Sequence, residues 1–179
     1  ITTEEEYLES IASDITTFEN KPGKEFQSVM ESSFDAWIKY YRPDANSNNS
    51  SISYYEKGGI VALLLNLEIL NVANGKKSVQ DVFRYLYTEY YKNKKRGFTH
   101  EEFKEAITKV VDANLNPFFR DYIEGIKSID YNHYFSYVGL ELIDKNKGNK
   151  NPWLGISFKL DNGKLIIKSV LRNSPAYLN

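Results

Sequence analysis

The chain contains no cysteine, which excludes disulfides, thiol nucleophiles and thiolate-bound zinc from its chemistry. Histidine is nearly absent, at two residues, so a metal held by several imidazoles has little to draw on. Long hydrophobic runs are missing as well. The longest, Ile60 to Leu65, falls far short of the roughly 18 residues that span a bilayer, and residues 1–20 show neither a basic nor a hydrophobic leader region. There is no excess of either charge: 23 Lys and Arg against 24 Asp and Glu give a net charge of -1, so neither nucleic acid nor a membrane is expected as a partner. Composition does not choose between cytoplasm and periplasm. The sequence opens Ile1-Thr2-Thr3 without an initiator Met and stops at Leu178-Asn179, so both ends are expected to be cut.

What the chain does have is helical grammar. Thr3 followed by Glu6 forms a capping-box pattern, and Tyr7, Ile11, Ile15 and Phe18 then mark one face. Lys21-Pro22-Gly23 ends that helix. Phe26, Met30, Phe34, Trp37 and Tyr41 recur at three- and four-residue steps and predict a second helix, stopped by Arg42-Pro43. The Asn46 to Ser50 stretch reads as a polar loop. Ser53 and Glu56 open a further helix, apolar nearly all round to Leu70, and Asn74-Gly75 closes it. Ser78 caps a helix striped by Val79, Val82, Phe83, Leu86, Tyr87 and Tyr90, and Thr99 with Glu102 caps another. Pro117 starts a short helix ending at Gly125. The basic run Lys92 to Arg96 reads as a solvated turn.

Near Tyr131 the pattern changes. Tyr137 to Ile143 and Gly155 to Leu160 read as strands, Asp161-Asn162-Gly163 as a hairpin turn and Leu165 to Val170 as its return. The expected architecture is therefore mainly α, with residues 1–130 a helical subdomain and residues 131–179 a linker and an incomplete β domain. A unit of that size falls below the roughly 50 residues an independent domain needs.

Ser53-Tyr54-Tyr55-Glu56-Lys57-Gly58-Gly59 resembles the Tyr-x-Lys-Gly signature of the glycyl aminopeptidase family, PDZ-containing zinc peptidases of thermolysin-like (gluzincin) fold. Gln27-Ser28, Ser32-Ser33-Phe34-Asp35-Ala36-Trp37, Ser78 to Val82 and Phe118 to Gly125 resemble the same family in the same order. Trp153-Leu154-Gly155-Ile156 is similar to the loop with which PDZ domains cradle a peptide carboxylate, and Val170 to Tyr177 is similar to the next strand and helix start of such a domain. The resemblance implies a C-terminal part of a zinc-dependent aminopeptidase, with peptide as substrate. Its implied catalytic residue is Tyr55, whose phenol stabilises the oxyanion formed when zinc-bound water attacks the scissile carbonyl. Tyr54 is implied to line the substrate pocket, and Trp153, Leu154, Gly155 and Ile156 to bind a peptide C-terminus.

The family's His-Glu-x-x-His is not present. His100-Glu101-Glu102-Phe103-Lys104 places Lys104 where the second imidazole belongs, and His133 has no ligand spacing around it. Zinc is therefore expected in a full-length parent, with no metal ligand in this chain, and the chain alone is expected to be inactive. The sequence departs elsewhere too: Leu65-Asn66-Leu67 and Leu70 stand where the family's buried helix often reads Leu-Asp-Leu followed by Arg. A non-catalytic peptidase-like scaffold with a PDZ peptide-binding module is the alternative reading.

Overall fold

The computed structural model describes residues 2–149 and 151–179, and capping residues decide where its helices begin. Helix α1 (Glu4–Glu19) starts at Thr3, whose hydroxyl accepts the Glu6 N–H at 3.2 Å while Glu6 accepts the Thr3 N–H at 2.8 Å. Ile15 and Phe18 are buried, whereas Tyr7 at the other end of the expected stripe is exposed. A 3-10 turn (Pro22–Glu25) leads to α2 (Val29–Phe34), capped by Ser28 with Glu31. Here the structure corrects the sequence: regular helix ends at Phe34, and the chain runs on to Tyr41 in turns. The stripe is not core either, for Phe34 is 88% exposed and Trp37 78%. The Asn46 to Ser50 loop contains one helical turn, α3 (Ser47–Ser50).

Helix α4 (Tyr54–Val72) is the longest element. Ile60, Val61, Leu64, Leu65, Leu67 and Ile69 are all buried, which accounts for its apolar character on most sides. Each such side chain contributes about 1.5–3 kcal/mol. Asn74 and Gly75 both take positive φ after its end. Then come α5 (Val79–Leu86), extended by a π-helical stretch (Tyr87–Asn93), and α6 (His100–Val111), opened by the Thr99 and Glu102 capping box. Pro117 sits in the first turn of α7 (Asn116–Phe118), which widens into a second π stretch (Phe119–Ile123).

The stretch Tyr137 to Ile143, expected as a strand, begins in a 3-10 turn and then runs on without regular structure. Helix α8 (Tyr131–Phe135) continues as a 3-10 turn (Ser136–Val138), and Gly139 at φ 72° ends it. Local partners take several backbone groups of Tyr137 to Ile143: Gly139 and Leu140 donate to the Ser136 and Phe135 carbonyls at 3.2 and 3.0 Å, and Leu142 donates its N–H to Asn132 Oδ1 at 2.7 Å and accepts from Asn132 Nδ2 at 3.1 Å. The hairpin itself forms as expected. Strand β1 (Ile156–Asp161) pairs antiparallel with β2 (Lys164–Val170), Asp161 opposite Lys164, with a register shift between Ser157 and Phe158. Asn162 and Gly163, at φ 48° and 77°, give the primed turn that matches strand twist. A final turn, α9 (Pro175–Leu178), is capped by Ser174.

The chain divides into two compact units. One comprises Ile1–Ile60, Glu124–Lys127 and Ile143–Asn179, and within it Asn49 clasps the end of the hairpin: its Nδ2 donates to the Val170 carbonyl and its Oδ1 accepts the Arg172 N–H, both at 2.8 Å. The other comprises Val61–Ile123 and Ser128–Leu142, with Phe118, Tyr122 and Tyr134 packed edge to face at 5.2 to 6.0 Å. Among the described residues, no helix is long and apolar enough to cross a membrane.

Candidate active site

The segment leading into α4 is clamped before the helix starts. Ile52 donates its N–H to Gln27 Oε1 at 2.9 Å, and its carbonyl accepts from Ser32 Oγ at 2.8 Å, both in the buried interior. Gly23 runs so close beneath that a Cβ there would lie 2.2 Å from the Ser51 carbonyl oxygen. These contacts hold residues 51–53 in one conformation. Ser53 then accepts the Glu56 N–H at 3.3 Å, but the Glu56 carboxylate turns to Lys21 Nζ at 2.7 Å, so only half of the expected capping box forms.

That framework fixes Tyr54 and Tyr55 in the first turn of α4, and a third phenol meets them. Tyr41 Oη lies 3.0 Å from Tyr54 Oη and 3.0 Å from Tyr55 Oη. The Tyr54 and Tyr55 rings are 4.2 Å apart, Tyr40 stands edge-on to Tyr41, Tyr54 and Tyr55, and Trp37 leans on Tyr41 at 5.1 Å. Tyr55 remains 59% exposed, so the hydrogen-bonded phenol still faces outward. Its hydrogen bonds with Tyr41 and then Tyr54 hold it below the ordinary phenol value, outweighing a small opposing effect of burial. Tyr54 is pushed the other way, first by its bond with Tyr41. The positive end of α4 also favours negative charge at this position.

Lys57, one turn further, proves to be a core residue at 1% exposure. Its Nζ donates to the Gly125 carbonyl at 3.5 Å and sits 5.6 Å above the Phe18 ring. Burial lowers its pKa to about 8, against the pull of Glu19.

Trp153, Leu154, Gly155 and Ile156 lie at the entry to β1, with Trp153 and Leu154 exposed. Gly155 takes φ 71°, and a Cβ there would collide with the buried Ser174 at 2.1 Å. The Gly155 and Leu154 carbonyls accept from Leu171 and Ala176 N–H groups at 2.8 and 3.2 Å. The structure thus brings Tyr54 and Tyr55 together with Tyr40 and Tyr41, while Trp153 to Ile156 form a separate group tied to residues 171–176.

The first turn of α6 does not fit the zinc motif. Lys104 stands at the second imidazole's place and extends its Nζ to Glu101 at 3.2 Å. His133 pairs its Nε2 with Tyr137 Oη at 2.8 Å, and that hydroxyl donates to Glu68 at 3.1 Å. A protonated amine is not a zinc ligand.

Residues 1–61 match the family model of the M61 glycyl aminopeptidases. The match supports a peptidase-related chain, and it covers all four clustered tyrosines, the clamp residues and Lys57, leaving the hairpin outside it. A comparison with curated proteins finds no significant match. Spacing along the sequence makes Tyr41 only the end of a core stripe and gives Tyr40 no role. The signal available for both is Pro43, which forces the chain to turn just after two adjacent aromatics.

Proposed function

We propose that this chain is part of a zinc-dependent aminopeptidase, a hydrolase that cleaves peptides near the N-terminus, and that it contributes the phenol stabilising the oxyanion. The observation that carries this reading is Tyr55: exposed in the first turn of α4, hydrogen-bonded by Tyr41, and inside the stretch matched by the aminopeptidase family. A positioned donor aimed at developing charge accelerates reaction because its bond strengthens only as the oxyanion forms. Tyr54 backs Tyr55 within the same network. Zinc, in this reading, is held by residues outside this chain, since the sequence has no His-Glu-x-x-His. The thermolysin-like fold is part of the same proposal, as is a PDZ-like role for Trp153 to Ile156 in cradling a peptide carboxylate.

The test is Tyr55→Phe in the full-length gene product. Turnover is expected to fall on the order of 100-fold with metal content unchanged. Unchanged turnover removes the catalytic role from Tyr55, and no peptidase activity in the parent favours the scaffold reading instead.

A further inference from the structure

Three phenols hold three protons, and the two bonds that Tyr41 makes, with Tyr54 and with Tyr55, use two. Tyr41 Oη lies 3.0 Å from both neighbours and has a single proton to give, so it donates to one of them at most; where it accepts from both, the unshared proton is its own. If the bonds run from Tyr55 to Tyr41 to Tyr54, the unshared proton belongs to Tyr54, which is only half exposed. If they run from Tyr54 to Tyr41 to Tyr55, it belongs to Tyr55 and faces the open side.

We propose that Tyr41 is a positioning residue for Tyr55: by donating its own proton to Tyr55 Oη, it turns the Tyr55 proton outward to the reacting oxygen of a bound peptide. The inference rests on the reading of Tyr55 as oxyanion donor and adds what aims it. Tyr41 is well held for the task. Its N–H donates to the Ala36 carbonyl at 3.0 Å, Trp37 leans on its ring at 5.1 Å and Tyr40 meets it edge-on at 5.2 Å. The titration trends run in the same direction, Tyr55 being held low as an acceptor in the network and Tyr54 raised as a donor. Hydrogen bonds in series polarise one another, so each donor behind Tyr55 strengthens the bond it gives. No bond is made or broken in Tyr41 itself.

Two measurements test this. On this chain, NMR of tyrosine labelled with carbon-13 at Cζ follows the ionisation of Tyr55, which is expected to move to higher pH in Tyr41→Phe and less so in Tyr54→Phe. In the full-length gene product, Tyr41→Phe is expected to lower kcat about 10-fold with KM unchanged. Both variants keep the ring, and circular dichroism checks that they fold. An unmoved Tyr55 titration in Tyr41→Phe overturns the inference. So does a Tyr41→Phe enzyme of full turnover when Tyr55→Phe is impaired, and in that case the reading of Tyr55 stands. Full turnover in Tyr55→Phe overturns that reading and the inference with it.

Discussion

Residues 26–41 and helix α4 carry apolar side chains at the same helical spacing, yet they end in opposite surroundings. In the first, Phe34 and Trp37 are the most exposed large side chains of their segment, while in the second Leu64 is 0% exposed. Spacing says which residues share a face only while the helix lasts, and α2 ends at Phe34. Nor does spacing say whether anything covers the face. Around α4 the cover exists, and in residues 35–41 the uncovered aromatics lie against the phenols that make the candidate site.

The contrast is broken most directly by truncating one residue of each kind. Leu64→Ala is expected to cost about 2–5 kcal/mol in urea unfolding, because it leaves a cavity in a packed interior. Phe34→Ala is expected to change stability by about 0.5 kcal/mol or less. Comparable losses in the two variants would mean that Phe34 is covered in solution, and the comparison would collapse.

Lys57 sharpens it, since it is a charged residue on the buried side of the helix that exposes Tyr55. Its folded pKa of about 8 lies below the ordinary lysine value of 10.5. Between those values the unfolded chain binds a proton that the folded chain does not, so stability rises with pH across that window. The full cost of burying the charge is present below pH 8, and the gain by pH 10.5 is about 3 kcal/mol. Lys57→Met should remove this slope and stabilise the chain at neutral pH. The measurement is the difference between the two proteins' unfolding free energies from pH 7 to 10.5. A difference independent of pH would show that Lys57 stays protonated in the fold.

Local devices were legible in the sequence. The capping boxes at Thr3, Ser78 and Thr99 and the Asn162-Gly163 turn depend on residues three or fewer apart, so each carries its own signal. What failed to show was non-local. Tyr41 reaches Tyr55 across 14 positions, and Gln27 reaches Ile52 across 25. The supposed strand at Tyr137 had the right residue types, but Ser136, Phe135 and Asn132 took the backbone groups of Gly139, Leu140 and Leu142. Nothing in the sequence next to Lys57 reveals that Phe18 and Gly125 close over it.

Asn66 gives the smallest effect, through a bond that joins the buried helix to the next one. Asn66 Oδ1 accepts the N–H of Val79, the first residue of α5, at 3.0 Å. Helix N–H groups at that end have no partner within the helix, so Asn66→Ala is expected to cost about 1 kcal/mol. Asn66→Asp keeps the acceptor and places negative charge at the positive end of α5, where it is favoured by about 0.3–1 kcal/mol. Thermal unfolding of the two variants separates the effects. If Asp destabilises as much as Ala, the cost of burying the carboxylate outweighs its attraction to the helix end, and the neutral amide is what this position requires.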